Sequence, residues 1–568
     1  MKNRASLEFD RWKLRLDKLE LKKLLSECAD SSSISDAFYR DLSFGTGGLR
    51  GKIGMGSNRM NVYTVGKASQ GLSEYLTNAF QSPSVVICRD SRMGGWEFTR
   101  RAAEVFAANG VRVFLLPRPE PTPVLSYAVR YLSCSAGVNI TASHNPAEYS
   151  GYKVYGNDGC QITANAASTI QEIIDSIDYF DGVLRLDFEK AVESNIIQLV
   201  EENVISSYVE TTLSQSCDVA LSSLSVAYTP LNGTGLECFS KVMKARKLGS
   251  LHVVEEQADL DGRFPTCPYP NPEVESALSL GKHLCVSTDS DLLIAMDPDA
   301  DRVGVAIPTI EGCSTLSGNE LGLLLLDFLV NRSKSRGQDL SRMVVMTTIV
   351  SAPMADDIAR AMGFELRRTL TGFKYIGEQI GCLSDLGRAN DFLFGFEESC
   401  GYLVGTNVRD KDGVVAAMLA CELVAYWKLK GMTLVEALES LYERFGYWSS
   451  RQLSLIYEGP EGAELMGSIM GSLRTAAPSN LSGCEISRVI DYSQGVVMPV
   501  VNPAMGTADQ YLPPANVLEF RLEDGSRVIV RPSGTEPKIK AYVFARAASR
   551  AEADSKLSAL SNCLKDLL

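Results

Sequence analysis

A chain of 568 residues is too long for one hydrophobic core and predicts roughly three to five domains of ~100–200 residues each. Its 45% apolar and 22% charged content is ordinary for a folded globular protein. The net charge of −13 excludes an extended nucleic-acid surface, while leaving room for a locally basic cleft that takes an anionic small molecule.

The opening stretch, "MKNRASLEFDRWKLRLDKLELKKLLSE", mixes charges throughout, lacks the apolar centre of a signal peptide and reads as a solvated amphipathic helix. "FGTGGLRGKIG" (44–54) has the glycine content of a linker, yet Phe44, Leu49 and Ile53 would anchor it and Arg50 could reach an anion. Short apolar runs then recur as candidate buried strands: "SVVIC" (84–88), "VRVFLLP" (111–117), "LSVAYTP" (224–230), "DLLIAMD" (291–297), "MVVMTTIV" (343–350) and "DFLFGF" (391–396). Helix-compatible segments such as "EFTRRAAEVFAANG" (97–110), with its terminal glycine, alternate with them. This alternation predicts α/β domains with mixed or largely parallel sheets, whose ligands gather at the carboxyl ends of the strands.

Within "NITASHNPAEYSGYK" (139–153), Ser143 sits between an apolar run and a His-Asn-Pro turn, either as a plain turn residue or as a nucleophile on a rigid corner. "MDPDADRVG" (296–304) places Asp297, Asp299 and Asp301 at alternate positions directly after an apolar strand. Three carboxylates so close repel unless a cation neutralises them. An all-oxygen set without His or Cys favours Mg²⁺ over Zn²⁺, and the twelve-residue EF-hand pattern is missing. The alternative is a solvated acidic turn. "LGLLLLDFLV" (321–330) is interrupted by Asp327 and is far short of the ~20 residues of a membrane helix.

"TGFK" (371–374) offers Lys374 after a glycine turn, and "GFEESCGY" (395–402) offers Glu397 and Ser399. These two point the same way if the strand beginning at 391 continues through them, as a pair for vicinal sugar hydroxyls would need. In "RDKDG" (409–413) Lys411 lies between two aspartates. The last ~125 residues read as a separate α+β domain, in which Asp524-Gly525 joins two alternating strands as a hairpin. There "VIVRPSGTEPKIK" (528–540) supplies Arg531 as a forked cation and Ser533, Gly534 and Thr535 as hydroxyls and approachable N–H groups, a set suited to a phosphate dianion. None of the fourteen cysteines forms a CxxC pair, and Cys88, Cys134 and Cys285 lie in or beside apolar runs as reduced buried thiols would, which predicts a cytoplasmic protein.

Taken in order, "TASHNP", "DPDADR", "GFEES" and "RPSGTEP" resemble the motifs of the α-D-phosphohexomutases, which include phosphoglucomutases, phosphomannomutases and phosphopentomutases. The matches run from Gly45 to Lys538, and "DPDADR" and "GFEES…GY" look most like the bacterial phosphoglucomutase and phosphopentomutase branch. Cys400 is a departure, separating Ser399 from Gly401 where many relatives have serine followed directly by glycine. The resemblance implies three related α/β domains with mixed sheets plus a C-terminal α+β lid around a central cleft, divided here as residues 1–207, 208–316, 317–440 and 441–568.

By the same resemblance Ser143 is the phosphorylated serine, and Asp297, Asp299 and Asp301 hold Mg²⁺ together with it. Glu397 and Ser399 contact the sugar, with Arg302, Thr371, Gly372 and Lys374 also on the substrate side. Arg531, Ser533, Gly534 and Thr535 clamp the nonreacting phosphate. Lys153 is the expected general acid/base, its ammonium lowered from ~10.4 by Mg²⁺ and nearby arginines, with His144, Lys411 and Arg50 as further catalytic candidates. The implied reaction interconverts glucose 1-phosphate and glucose 6-phosphate through a 1,6-bisphosphate that also serves as primer. Phosphopentomutase and phosphomannomutase activity are the alternatives within the class, and a non-catalytic sugar-phosphate-binding regulator is the alternative outside it. The expected partner is a small sugar phosphate, with no nucleic acid and no membrane, and with a monomer or a homodimer equally compatible.

Overall fold

The computed structural model describes residues 4–45, 47–457, 459–503, 509–533 and 538–568. The chain forms two compact units, Met1–Leu316 with Gly377–Gly387 and Gly401–Glu422, and Ser317–Ile376 with Arg388–Cys400 and Leu423–Leu568.

The first unit carries two mixed sheets. In one, strand Ser84–Arg89 pairs in parallel with Arg112–Leu115 and Ala136–Ile140, and Arg112–Leu115 with Ile197–Leu199. Tyr149–Gly156 then runs antiparallel to both Ala136–Ile140 and Gly48–Lys52. The "linker" glycines are therefore a sheet edge. Gly48 adopts a positive φ of 138°, and a Cβ there would fall 1.8 Å from the carbonyl oxygen of Tyr152, so only glycine lets the strands approach. The second sheet sets Ser225–Thr229 parallel to Ser250–Val253 and Leu292–Met296, with Val303–Thr309 antiparallel beyond it.

"AGVNI" (136–140) and "LLIAM" (292–296) are buried at every position, as central strands covered on both faces must be. Each therefore ends where the chain turns polar. Those two ends are "TASHNP" and "DPDADR", so both loops sit at carboxyl ends of strands.

The N-terminus departs from a solvated helix. It forms two helices, Arg4–Arg15 and Lys18–Glu27, broken at Asp17, whose carboxylate caps the second helix while Glu20 closes the capping box. Ala5, Phe9 and Trp12 are buried, and Trp12 meets Phe38, Tyr63 and Phe180 edge-on at ring-centroid distances of 5.5, 5.2 and 5.4 Å. The charges hide this stripe because most of the remaining positions are ionic and the exposed Leu7 and Leu14 blur its edge.

In the second unit, Val344–Thr348 pairs in parallel with Glu365–Thr369 and Phe392–Glu397. The apolar run 321–330 lies within helix Gly318–Ser335, which starts at the capping box of Ser317 and Glu320. The buried Asp327 accepts a hydrogen bond from Arg444 at 3.2 Å. No helix among the described residues is long and apolar enough to cross a membrane.

The C-terminal part is α+β. Tyr447–Ile456, Lys538–Ala547, Arg527–Pro532, Leu518–Leu522 and Cys484–Asp491 form an antiparallel sheet packed with helices Gly459–Thr475 and Arg550–Leu567. Gly525 turns the Asp-Gly hairpin with φ 86°. Trp12→Ala is expected to lower unfolding stability by about 3–5 kcal/mol, the usual cost of emptying a buried aromatic site, as measured by denaturant titration.

Candidate active site

Ser143 and the aspartate triplet come from different sheets of the first unit and meet. The Ser143 hydroxyl donates to Asp297 Oδ2 at 2.7 Å and lies 3.3 Å from His144 Nδ1. Ser143 is 3% exposed and holds a left-handed φ of 52°, a strained conformation for a residue with a Cβ. Asp297, Asp299 and Asp301 are buried, and each offers one carboxylate oxygen within 4.8 Å of the others. Their loop is made tight by Ala300, also left-handed at φ 52°, and by Gly233, where a Cβ would fall 2.4 Å from Pro298 Cα.

Two lysines answer the carboxylates. Lys153 Nζ lies 2.7 Å from Asp299 Oδ2 and 3.4 Å from Asp301 Oδ2; Lys411 Nζ lies 3.2 Å from Asp301 Oδ2 and 3.1 Å from Asp410 Oδ1. Thr122 adds a hydroxyl donating to Asp299 Oδ2 at 2.8 Å and a backbone N–H donating to the Asp299 carbonyl, also at 2.8 Å. Asp299 Oδ1 and Asp301 Oδ1 nevertheless remain buried without a hydrogen-bond partner. Leaving such atoms unpaired is costly, and carboxylate oxygens converging in this way fit a hard divalent cation. The residues present therefore fit a metal ion.

Burial, followed by repulsion from Asp299 and Asp301, holds the Asp297 carboxyl well above its ordinary range. Burial also pushes on Asp299, but the Lys153 ammonium and the Thr122 hydroxyl outweigh it and keep that carboxyl low. His144 is held well below its usual value by burial, then by Arg302 and Arg50, so its ring is neutral.

At Lys153 the protein's own groups act against the expected lowering, which counts on Mg²⁺ as well. Burial pulls its ammonium down, yet Asp299 and Asp301 more than compensate, and the lysine stands above its ordinary value, not below it. The carboxylates touching it outweigh both burial and the neighbouring Lys411 ammonium.

Arg50, on the edge strand, reaches Asn145 Oδ1 at 3.3 Å, and Arg302 pairs with Glu273. Sequence reasoning missed Asp90, Arg92, Thr122 and Thr141, all of which support these loops. The only signal for the first two was their place just after the strand Ser84–Arg89.

The second unit holds the remaining candidates. The Glu397 side chain accepts a hydrogen bond from the Gly372 N–H at 2.8 Å, which ties the "GFEES" and "TGFK" loops together. Gly372 has φ 118°, Thr371 Oγ1 is buried without a partner, and Lys374 Nζ lies 5.1 Å from the Tyr375 ring centroid. The strand ends at Glu397, so Glu397 and Ser399 do not share a strand face as the alternation required. The chain turns instead, and Cys400 is left-handed with φ 60°. Arg531 sits opposite Lys540 in the strand hairpin, and the Ser533 N–H donates to the Lys538 carbonyl at 2.8 Å. Gly534 and Thr535 lie outside the described residues.

Known proteins carry the same arrangement of domains. Domains I, II and III and the C-terminal domain of phosphoglucomutase/phosphomannomutase match residues 41–180, 206–312, 317–445 and 494–555. A Staphylococcus aureus phosphoglucomutase is 32% identical over 558 residues, covering 98% of this chain and 99% of that protein. A Haemophilus influenzae protein named "Probable phosphomannomutase" is 36% identical over 519 residues, covering 90% and 98%. The crystal structure of Paramecium parafusin, a phosphoglucomutase in an open form, superposes with a TM-score of 0.68 at 20% identity, covering 93% of this chain and 94% of that one. The chain belongs to the phosphoglucomutase/phosphomannomutase family, the α-D-phosphohexomutases. It is thereby an isomerase of the intramolecular phosphotransferase type.

Thr122→Val removes one hydroxyl from Asp299 while keeping side-chain shape. It is expected to weaken divalent-cation binding by about 10–100-fold, the usual cost of losing a group that orients a metal ligand, as read by calorimetric titration.

Proposed function

We propose that the protein is a phosphoglucomutase, interconverting α-D-glucose 1-phosphate and glucose 6-phosphate through a phosphoserine at Ser143 and glucose 1,6-bisphosphate. The observation that carries this reading is the Ser143 hydroxyl, 2.7 Å from Asp297 in a carboxylate cluster with two lysines, in a chain collinear with a phosphoglucomutase over 98% of its length.

Asp297, Asp299 and Asp301 would hold Mg²⁺ together with Ser143. When bound, Mg²⁺ supplies charge neutralisation for the seryl phosphate. The chain's own residues do the rest. The charge that spreads over the transferring phosphoryl oxygens calls for positioned cations more than for covalent chemistry. Arg50 and Arg302 serve as those cations. Lys153 and Lys411, both on the Asp301 carboxylate, are the candidates for general acid/base work: Lys153, held as an ammonium, can protonate the leaving serine oxygen, while the proton of the attacking sugar hydroxyl passes to a neutral group. His144, neutral and beside Ser143, is the secondary candidate.

On the substrate side, Glu397 and Ser399 contact sugar hydroxyls, with Thr371, Gly372 and Lys374 alongside. Arg531, Ser533, Gly534 and Thr535 hold the phosphate that is not reacting. After the first transfer the bisphosphate reverses its ends and returns its other phosphoryl group to Ser143, and the same bisphosphate primes the unphosphorylated enzyme. The name carried by the Haemophilus relative favours phosphomannomutase activity as the second reading.

Intact-mass measurement of the active protein is expected to show a population heavier by one phosphoryl group, absent in Ser143→Ala, which loses turnover. Wild-type turnover in Ser143→Ala would refute the reading. Comparison of kcat/KM for glucose, mannose and ribose 1-phosphates, with Mg²⁺ and matching bisphosphate primer, is expected to favour glucose; a preference for mannose selects the second reading. Replacing all three aspartates together is expected to abolish Mg²⁺-dependent turnover.

A further inference from the structure

The left-handed backbone of Ser143 has a specific restraint. Its N–H donates to Thr141 Oγ1 at 2.8 Å, and the Thr141 hydroxyl donates to Asp90 Oδ2 at 2.6 Å. Asp90 accepts from Arg92 Nε at 3.2 Å and from its backbone N–H at 2.9 Å. Arg92 Nη2 donates to the carbonyl oxygen of Ser143, closing a ring on the residue where it began. The same guanidinium donates to the carbonyls of Asn145, Pro146 and Tyr149 at 2.5, 2.8 and 2.9 Å. One planar fork thus gathers four carbonyls of the serine loop.

Arg92 is also held from behind. Its guanidinium carbon lies 5.1 Å from the Phe264 ring centroid, and its backbone bridges to Gly262, where a Cβ would fall 2.6 Å from Arg92 Cα. Asp90 and Arg92 are 1% and 3% exposed, so neither partner is screened by water, and the pair brings little net charge to the carboxylate cluster nearby.

We propose that Thr141, Asp90 and Arg92 act as one positioning device for the reacting serine, fixing both the N–H and the C=O of Ser143 so that its Oγ stays aimed at Asp297 in either phosphorylation state. None of the three side chains bonds the Ser143 hydroxyl; they act through its backbone. The proposal rests on the reading of Ser143 as the phosphoryl carrier. A strained conformation persists only where its surroundings over-determine it. With either end of the ring cut, the serine is free to relax, and a displacement of about 1 Å at a reacting atom costs about 100-fold in rate.

The test uses the full chain with glucose 1-phosphate, Mg²⁺ and glucose 1,6-bisphosphate. Thr141→Val keeps the shape and removes the hydroxyl, and Arg92→Lys keeps the charge and removes the fork. Each is expected to lower kcat by about 100-fold with little change in KM. Thr141→Ser is expected to restore most of the loss, and the double variant Thr141→Val/Arg92→Lys to fall no further than Arg92→Lys alone, because one cut already opens the ring. Wild-type kcat in folded Thr141→Val overturns the proposal, as does Thr141→Ser no better than Thr141→Val, which would make the threonine methyl group the important part. Should Thr141→Val not fold, Arg92→Lys is decided by the same kcat and KM criterion.

Phosphopeptide mapping separates this inference from the one beneath it. Phosphate on a residue other than Ser143 in the wild type overturns the functional reading and the device with it. Phosphate on Ser143 in a fully active Thr141→Val overturns the device alone.

Discussion

Three carboxylates cannot share one buried corner unless cations share it too, and the first unit is organised around that constraint. Asp297, Asp299 and Asp301 converge because a fully buried strand delivers them, because Gly233 leaves room beside Pro298, and because Ala300 is held left-handed within the turn. Lys153 arrives from the neighbouring sheet and Lys411 from a much later part of the chain. The lysines leave two carboxylate oxygens unpaired, which is the electrostatic appetite of a metal site.

The same constraint differentiates residues that look equivalent in sequence. Asp297 and Asp299 are both buried, yet one carboxyl is held high and the other low, because Lys153 and Thr122 attend only to the second. The serine hydroxyl bonds to Asp297, the carboxylate that neither lysine touches. The Ser143 hydroxyl thus bonds to the carboxyl that is held high, while the two oxygens without a hydrogen-bond partner belong to Asp299 and Asp301.

Much of the α/β architecture was legible because central strands are apolar throughout and end abruptly in polar loops, as at Ile140 and Met296. Those same endings marked Ser143 and the aspartates. What was not legible depended on partners that sequence does not display. Arg92 acts on backbone carbonyls, which have no letter of their own. Thr122 looks like an ordinary helix-start threonine, and Thr141 like a strand-end one, until their acceptors are in place. The face shared by Glu397 and Ser399 failed because the strand stops at Glu397 and the chain turns through a left-handed Cys400, a backbone choice that composition does not announce for a non-glycine residue. The buried face of Trp12 was masked by the ionic residues around it, and the direction of Lys153 depended on which charges touch it and not on how many stand nearby.

The path of the chain has a consequence for how such a protein can evolve. The polypeptide passes between its two units at 316/317, 376/377, 387/388, 400/401 and 422/423. The segment 401–422 returns Asp410 and Lys411 to the aspartate cluster, and it also returns Glu422, whose buried carboxylate accepts from the Ser216 hydroxyl, the Cys217 N–H and Arg246. A gene cut after residue 316 would take from Arg246 its carboxylate partner and from the aspartate cluster one ammonium. Exchanging either unit for another would therefore require new joints at all five crossings at once, where a protein with consecutive domains needs one.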